Sequence, residues 1–284
     1  MQQIGVIGAG PVGQGLAKRL VALGYVVRIA NSRGPASLRD VAKSTGAEPI
    51  DITDISAGAA VLVLAIPFGR VPDLPKSVVS SLPGDAIIVD AGNYYPRRDG
   101  AIPEIDQGLP ESQWISRKLG VPVVKAFNSI IASRLVDQCR PAGDRRRIAL
   151  PVAGDDLANR RAIMALVEAF GFDAFDAGSL AESWRQQPGQ PAYCTDATRA
   201  ELRLLLARAD REMAKRNRDK ATEILSKLPE DYPADQLVRA SRILVGLDKL
   251  RPASWFAILR LAATIALRKQ RRRDAVKDRV ASPS

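Results

Sequence analysis

The chain has 284 residues and is 46% hydrophobic, so it can bury a substantial core. Its two cysteines, Cys139 and Cys194, lack CxxC spacing; they give neither a disulfide framework nor a zinc site and fit a reducing compartment. There is no histidine, which excludes every mechanism needing an imidazole base or ligand, and the net charge of +11 is unevenly placed, with 21 Lys+Arg and 20 Asp+Glu in residues 1–198 against 21 and 11 in residues 199–284.

This asymmetry predicts a near-neutral domain, residues 1–195, followed by a basic helical extension, residues 196–284. The opening MQQIGVIGAG has no basic segment before its apolar run, so it reads as a first strand and not as a signal peptide. No stretch reaches the ~20 uninterrupted apolar residues of a membrane span, and a cytoplasmic protein is expected. After the first strand (3–8), Pro11 opens a helix that Gly24 stops; a second strand covers 25–30; Pro35 opens a helix that Gly46 closes. Continuous apolar, β-branched runs at 61–66, 86–90, 121–126 and 148–153 read as strands buried on both faces, with a helical pattern at 155–170 and a last strand at 172–176. Strands alternating with helices predict an α/β fold with a doubly wound parallel sheet. Beyond Tyr193 the pattern changes to helical segments at about 196–228, 234–249 and 253–272, and the terminal VASPS is expected to be disordered.

The first strand ends in GAGPVG, where Gly8, Gly10 and Gly13 stand in G-x-G-x-x-G spacing with Ala9, Pro11 and Val12 between them. This strand–turn–helix context makes the segment a candidate pyrophosphate site at a helix N-terminus: Gly8 for the turn, Gly10 for backbone approach, Gly13 for helix–strand packing. The competing reading is a glycine-rich turn without ligand. At the end of the second strand, where an acidic residue would mark NAD, the chain carries Asn31, Ser32 and Arg33. Arginine can clamp a 2′-phosphate and its neighbours can donate to it, so the exchange favours NADP(H), against a plainly solvated arginine.

In order, GAGPVGQGLAKRL, ANSRGP, AIPF (65–68), DAGNYYPRRDG (90–100), VKAFN (124–128), PVAGDD (151–156) and GFDAFDAG (171–178) resemble the NADP oxidoreductase, coenzyme F-420-dependent family over roughly residues 1–195. The resemblance implies a Rossmann domain and hydride transfer between NADP(H) and a flat acceptor, coenzyme F-420 or a flavin, with no catalytic residue beyond those that orient the two. Ile66, Pro67 and Phe68 would line the cofactor cleft, and Asn93, Lys125 and Asn128 would stand near the acceptor. Lys125 also reads as a strand-end snorkeller, Asn128 as a helix N-cap, and Tyr94 and Tyr95 as surface packing. Gln186 stands where relatives carry an aromatic residue. Two other readings stay open: a reductase of a small imine or carbonyl like pyrroline-carboxylate reductase, and a non-catalytic NADP-binding sensor.

The segment 253–272 reads as an amphipathic helix with Arg260, Thr264, Arg268 and Arg271 on one face and Trp255, Ile258, Leu259, Ala262 and Ile265 largely opposite. It is expected to dock on the body or on a second subunit in a homodimer, with contact to an anionic membrane surface as an alternative. No specific nucleic-acid partner and no metal are expected.

Overall fold

A computed structural model describes residues 2–281, with side chains to Gln270. Six parallel strands, β1 (Gln3–Ile7), β2 (Val26–Ala30), β3 (Glu48–Pro49), β4 (Val61–Leu64), β5 (Ile87–Asp90) and β6 (Val123–Lys125), form one sheet in the order β3-β2-β1-β4-β5-β6. The order reverses between β1 and β4, which opens a crevice at their carboxyl ends. Although the strand runs look uniformly apolar, their side chains alternate between two cores. Val6, Ile29, Val63 and Val89 pack with Leu16 and Leu20 of α1 (Pro11–Ala22), while Ile7, Leu62, Leu64 and Ile88 pack with Trp114 and Ile115 of α3 (Glu111–Leu119). Pro35 opens a short 3-10 turn that runs into α2 (Arg39–Thr45), which Gly46 ends in the left-handed conformation at φ 77°.

The expected strands at 148–153 and 172–176 are present as β7 (Ala149–Val152) and β8 (Asp173–Asp176), joined through α4 (Leu157–Ala169), whose N-cap Asp156 accepts from Asn159 N at 2.7 Å. They do not continue the main sheet. They form their own parallel pair, meeting β6 at one antiparallel bridge between Lys125 and Ala153. Phe127, at φ 62°, turns the chain out of extended geometry two residues past β6, so the pairing does not propagate.

The segment expected as one helix over 196–228 is two, α5 (Arg199–Ala207) and α6 (Arg211–Leu225). Asp210 breaks it, because its carboxylate accepts from Glu212 N and Met213 N and so caps a new helix. Two further helices, α7 (Ala234–Leu244) and α8 (Pro252–Ala281), follow; the expectation of disorder at VASPS falls, for residues 282–284, outside the described residues. The helices after Tyr193 lie against the rest of the chain. Leu202, Leu205 and Leu206 of α5 share a core with Ala149 of β7, and Gln190 and Asp210 exchange two hydrogen bonds of 3.0 Å. Arg242 of α7 reaches Glu201 at 2.7 Å and the carbonyl of Thr195 at 3.1 Å.

Gly189 lets α6 approach. It has φ 89°, and a Cβ there would stand 2.1 Å from the carbonyl oxygen of Ala214. Gly189→Ala combines a disfavoured φ with a backbone clash and should cost about 2–3 kcal/mol, read as a lower denaturant midpoint. An unchanged midpoint would show that α6 does not depend on this contact.

Candidate functional site

At the carboxyl end of β1 two glycines, Gly8 and Gly13, allow backbone to meet backbone. A Cβ on Gly8 (φ 114°) would lie 2.3 Å from the carbonyl oxygen of Ala65, and one on Gly13 would lie 1.9 Å from that of Gly8. The β1 loop, the first turn of α1 and the β4 loop are thereby in direct backbone contact. Gly10 differs: it is the N-cap of α1, no side chain caps that helix, and a Cβ there would meet nothing within 4 Å. No acidic residue stands in the first turn. The N–H groups of this turn therefore face open space at the positive helix end, an arrangement that suits a pyrophosphate. Pro11 occupies the first helical position, half-buried Val12 packs on the core, and the carbonyl of Ala9 accepts from Gln14 Nε2 at 2.7 Å.

The end of β2 lies beside this turn, since Gly8 N donates to the Ala30 carbonyl at 2.9 Å. Asn31 shapes the segment after β2: its Oδ1 accepts from Arg33 N at 2.8 Å and its Nδ2 donates to Ser37 Oγ at 2.9 Å. Ser37, which in turn donates to the Gly34 carbonyl, has no motif to mark it in sequence. Ser32 and Arg33 are exposed, and no carboxylate pairs with Arg33 among the described residues. The β4 loop presents half-buried Ile66 and exposed Pro67. Phe68, expected in the cofactor cleft, is instead core: it stacks on Trp114 at 6.0 Å and leans on Tyr94 at 6.3 Å. The turn after Pro67 carries its ring beneath the loop. Tyr94 is likewise buried, its hydroxyl accepting from Ile102 N at 2.9 Å, and is not a surface residue.

Lys125, expected near the acceptor, does not face the cleft. Its side chain is 0% exposed, and Nζ donates to Asp90 Oδ2 at 3.0 Å and to the Gly92 carbonyl at 2.7 Å, with Glu111 Oε2 at 3.7 Å. Asp90 also accepts from Ser112 Oγ at 2.7 Å and Gly92 N at 2.8 Å. An ammonium at a buried strand end finds its counter-charges inside, so snorkelling to solvent is not needed. Burial pushes the Glu111 carboxyl up to about 7, against the pull of Lys125.

The loops after β5 and β6 are sewn together by Asn93 and Asn128. Asn93 Nδ2 donates to the Asn128 carbonyl at 3.0 Å, and Asn128 Nδ2 donates to Asn93 Oδ1 at 3.1 Å. Asn128 is buried and caps no helix. Gln186 braces it, with Nε2 donating to Asn128 Oδ1 at 3.0 Å while its own carbonyl accepts from Asn128 Nδ2 at 2.9 Å. The residue that replaces an aromatic thus has a buried hydrogen-bonding place. Of the three residues expected near the acceptor, only Asn93 keeps part of its surface open. Next to it, Tyr95 shares a 2.7 Å hydrogen bond with Tyr193. Burial raises both phenols above their ordinary range, so both are neutral near pH 7, and it pushes the neighbouring Cys194 up to about 12, leaving a thiol.

Sheet order, the uncapped glycine turn and the loops at the strand ends define a doubly wound fold whose crevice suits a dinucleotide. The model of the family described as NADP oxidoreductase, coenzyme F-420-dependent, matches residues 3–94. A hypothetical protein of Sinorhizobium meliloti is 32% identical, with 68% of this chain and 93% of that one covered and a TM-score of 0.58. A candidate F-420-dependent NADP reductase of Arthrobacter sp. FB24 is 26% identical, with 63% and 86% covered and a TM-score of 0.54. The Escherichia coli K12 protein YjhV is 54% identical over 63 residues; the match takes in 22% of this chain and 46% of that protein, so the chain spans about half the length of this curated relative. The chain belongs to the NADP oxidoreductase, coenzyme F-420-dependent family.

Two substitutions test the buried cluster. Lys125→Met leaves the buried Asp90 without its partner and should cost about 3–5 kcal/mol, measured by urea unfolding. Glu111→Gln tests the proton. Between the ordinary carboxyl value and the raised one, the folded chain holds a proton that the unfolded chain has lost, so wild-type stability falls as pH rises through that window. The variant's midpoint should therefore gain on the wild type between about pH 5 and pH 8; a constant difference would mean that Glu111 does not titrate there.

Proposed function

We propose that the protein transfers a hydride between NADP(H) and a flat deazaflavin of the F-420 type, or a flavin. The observation that carries the NADP(H) half is Arg33, exposed and, among the described residues, without a carboxylate partner, at the end of the strand beside the uncapped turn. The acceptor half is supported by the family and by the Arthrobacter neighbour's description. NADP(H), when bound, supplies or takes up the hydride; the chain binds and orients. In this reading the N–H groups of the α1 turn hold the pyrophosphate, Arg33 and Ser32 hold the 2′-phosphate, and Asn31 keeps their turn in shape. Gly8, Ala9, Pro11, Val12 and Gly13 build the cradle. Ile66 and Pro67 form an apolar wall, and the Asn93–Asn128 pair fixes the floor on which an acceptor lies. Neutral Tyr95 and Tyr193 place no charge near the transferred hydride. A reaction that moves a hydride between two carriers needs no imidazole, in keeping with a chain without histidine.

The deciding experiment is NADPH oxidation offered F-420, flavin mononucleotide and small carbonyl acceptors in parallel. Turnover is expected with one of the flat acceptors; tight NADPH binding with no turnover of any would sink the proposal. For the cofactor, NADPH is expected to bind in preference to NADH, and Arg33→Ala should lose roughly ten- to a hundredfold of that preference, the equivalent of one charge-assisted hydrogen bond. Equal binding of the two by the wild type would refute the assignment. Gly10→Val should abolish NADPH binding while the circular dichroism spectrum stays native. Valine is tolerated at the φ of −77° found there and meets no neighbour in the chain, but its side chain fills the space that phosphate needs.

A further inference from the structure

The sequence pattern of 253–272 predicts an amphipathic helix whose apolar side is core. In the structure α8 packs inward through buried Ser254 and Ala257 and half-buried Ile258, Leu261 and Ile265, with Arg268 turned to the carbonyls of Lys227 and Leu228. A second apolar side looks out: Phe256 is 68% exposed, Leu259 63%, Leu267 59% and Trp255 50%, with exposed Ala262, Ala263 and Ala266 between them. At 100° per residue these seven occupy one stripe about 140° wide and, from Trp255 to Leu267, about 18 Å long. Leu244 at the end of α7 and Leu250 in the link to α8 are strongly exposed as well. Exposed apolar surface that is continuous in this way marks an interaction site.

The charge around the stripe selects its occupant. Residues 249–273 contain eight Lys and Arg and no Asp or Glu. A second copy of the chain laid on the stripe would bring two such segments together. An apolar layer beneath a layer of anionic headgroups matches both properties at once. Trp255 is suited to that boundary: its indole N–H already donates to the Lys249 carbonyl at 2.8 Å, so the ring can enter an apolar layer with its donor satisfied. No described helix is long and apolar enough to cross a membrane, which leaves α8 to lie in the plane of the surface. We propose that the outward stripe of α8, from Trp255 to Leu267, docks the protein flat on an anionic lipid surface, with Lys249, Arg251, Arg260 and Lys269 reaching the headgroups.

The test uses the full chain with sedimented vesicles of phosphatidylcholine alone and of phosphatidylcholine with phosphatidylglycerol. Two variants accompany it: Phe256→Ser/Leu259→Ser/Leu267→Ser for the stripe, and Lys249→Gln/Arg251→Gln/Arg260→Gln/Lys269→Gln for the charge. These side chains are exposed, and thermal unfolding followed by circular dichroism checks that both variants fold. The wild type should prefer the anionic vesicles by about tenfold or more and lose binding as salt rises, and each variant should lose about tenfold or more. Tryptophan emission of the wild type should shift to the blue on anionic vesicles, and Trp255→Phe should abolish the shift. Failure to bind anionic vesicles, indifference to their charge, or stripe-variant binding equal to wild type overturns the proposal. So does a stable dimer in the absence of vesicles that the stripe variant converts to a monomer, which would assign the stripe to a second copy.

Discussion

A lysine ammonium without access to water, held between two carboxylates, is the constraint on which this arrangement turns. Removing each ion from water costs several kcal/mol, and only close geometry offsets that. Lys125 obtains it from Asp90 at 3.0 Å and the Gly92 carbonyl at 2.7 Å. The second carboxylate, Glu111, stands farther off at 3.7 Å and would leave the group net negative if ionised. Its raised proton affinity resolves the imbalance, because a protonated Glu111 leaves one cation facing one anion. The three residues come from β6, β5 and α3, so the cluster locks the carboxyl ends of two adjacent strands to the helix that covers them. The loops carrying Asn93 and Asn128 start from this locked point.

Each wall of the crevice is then fixed by a different means. On the β1 and β4 side, backbone packs directly on backbone, and the absence of side chains at Gly8 and Gly13 is what holds the loops in place. On the β5 and β6 side, side-chain amides do the joining, and Gln186 satisfies one end of Asn128 from a distant segment. Phe127 adds a left-handed residue, buried against Phe170 at 5.0 Å, and its position in the chain sets that of Asn128. Such a conformation persists only where its surroundings over-determine it, and strained residues of this kind collect at functional sites.

The features legible in the sequence are those written in consecutive residues. Glycine spacing, the proline at the start of α1, the apolar runs of β4 and β5 and the loss of an acidic residue after β2 each announce themselves within a dozen positions. What stayed hidden depends on partners far along the chain. Phe68 reads as a loop residue until Trp114 and Tyr94 are seen to flank it, and Lys125 reads as a surface cation until Asp90 and Glu111 are placed beside it. That β7 leaves the main sheet was equally invisible, because its apolar run is compatible with either set of neighbours. The break at Asp210 was the exception: an aspartate before a polar helical run is a local cap signal, and it is there to be read.

The helices after Tyr193 show why net charge alone does not describe a surface. Their excess of ten cations splits into two populations with different surroundings. Two of those before residue 249 are drawn into the packing: Arg242 lies between Glu201 and Asp248, and Arg218 sits over the Tyr94 ring with Asp106 and Asp219 beside it. Of these pairs Arg218 with Asp106 joins the extension to the body, and the others brace the extension itself. Among the cations from 249 onward whose side chains are described, Arg251 alone meets a carboxylate, Asp248, and it does so at 3.6 Å while remaining mostly exposed. Lys249, Arg260 and Lys269 stand in solvent around an apolar stripe that the fold leaves uncovered. The helix they surround is apolar on two sides: Ala257, Ile258, Leu261 and Ile265 face inward, while Trp255, Phe256, Leu259 and Leu267 stay exposed. One apolar side is enough to dock a helix on its own chain, so the second, ringed by those cations, is surface that folding does not use and that an apolar, anionic partner would cover.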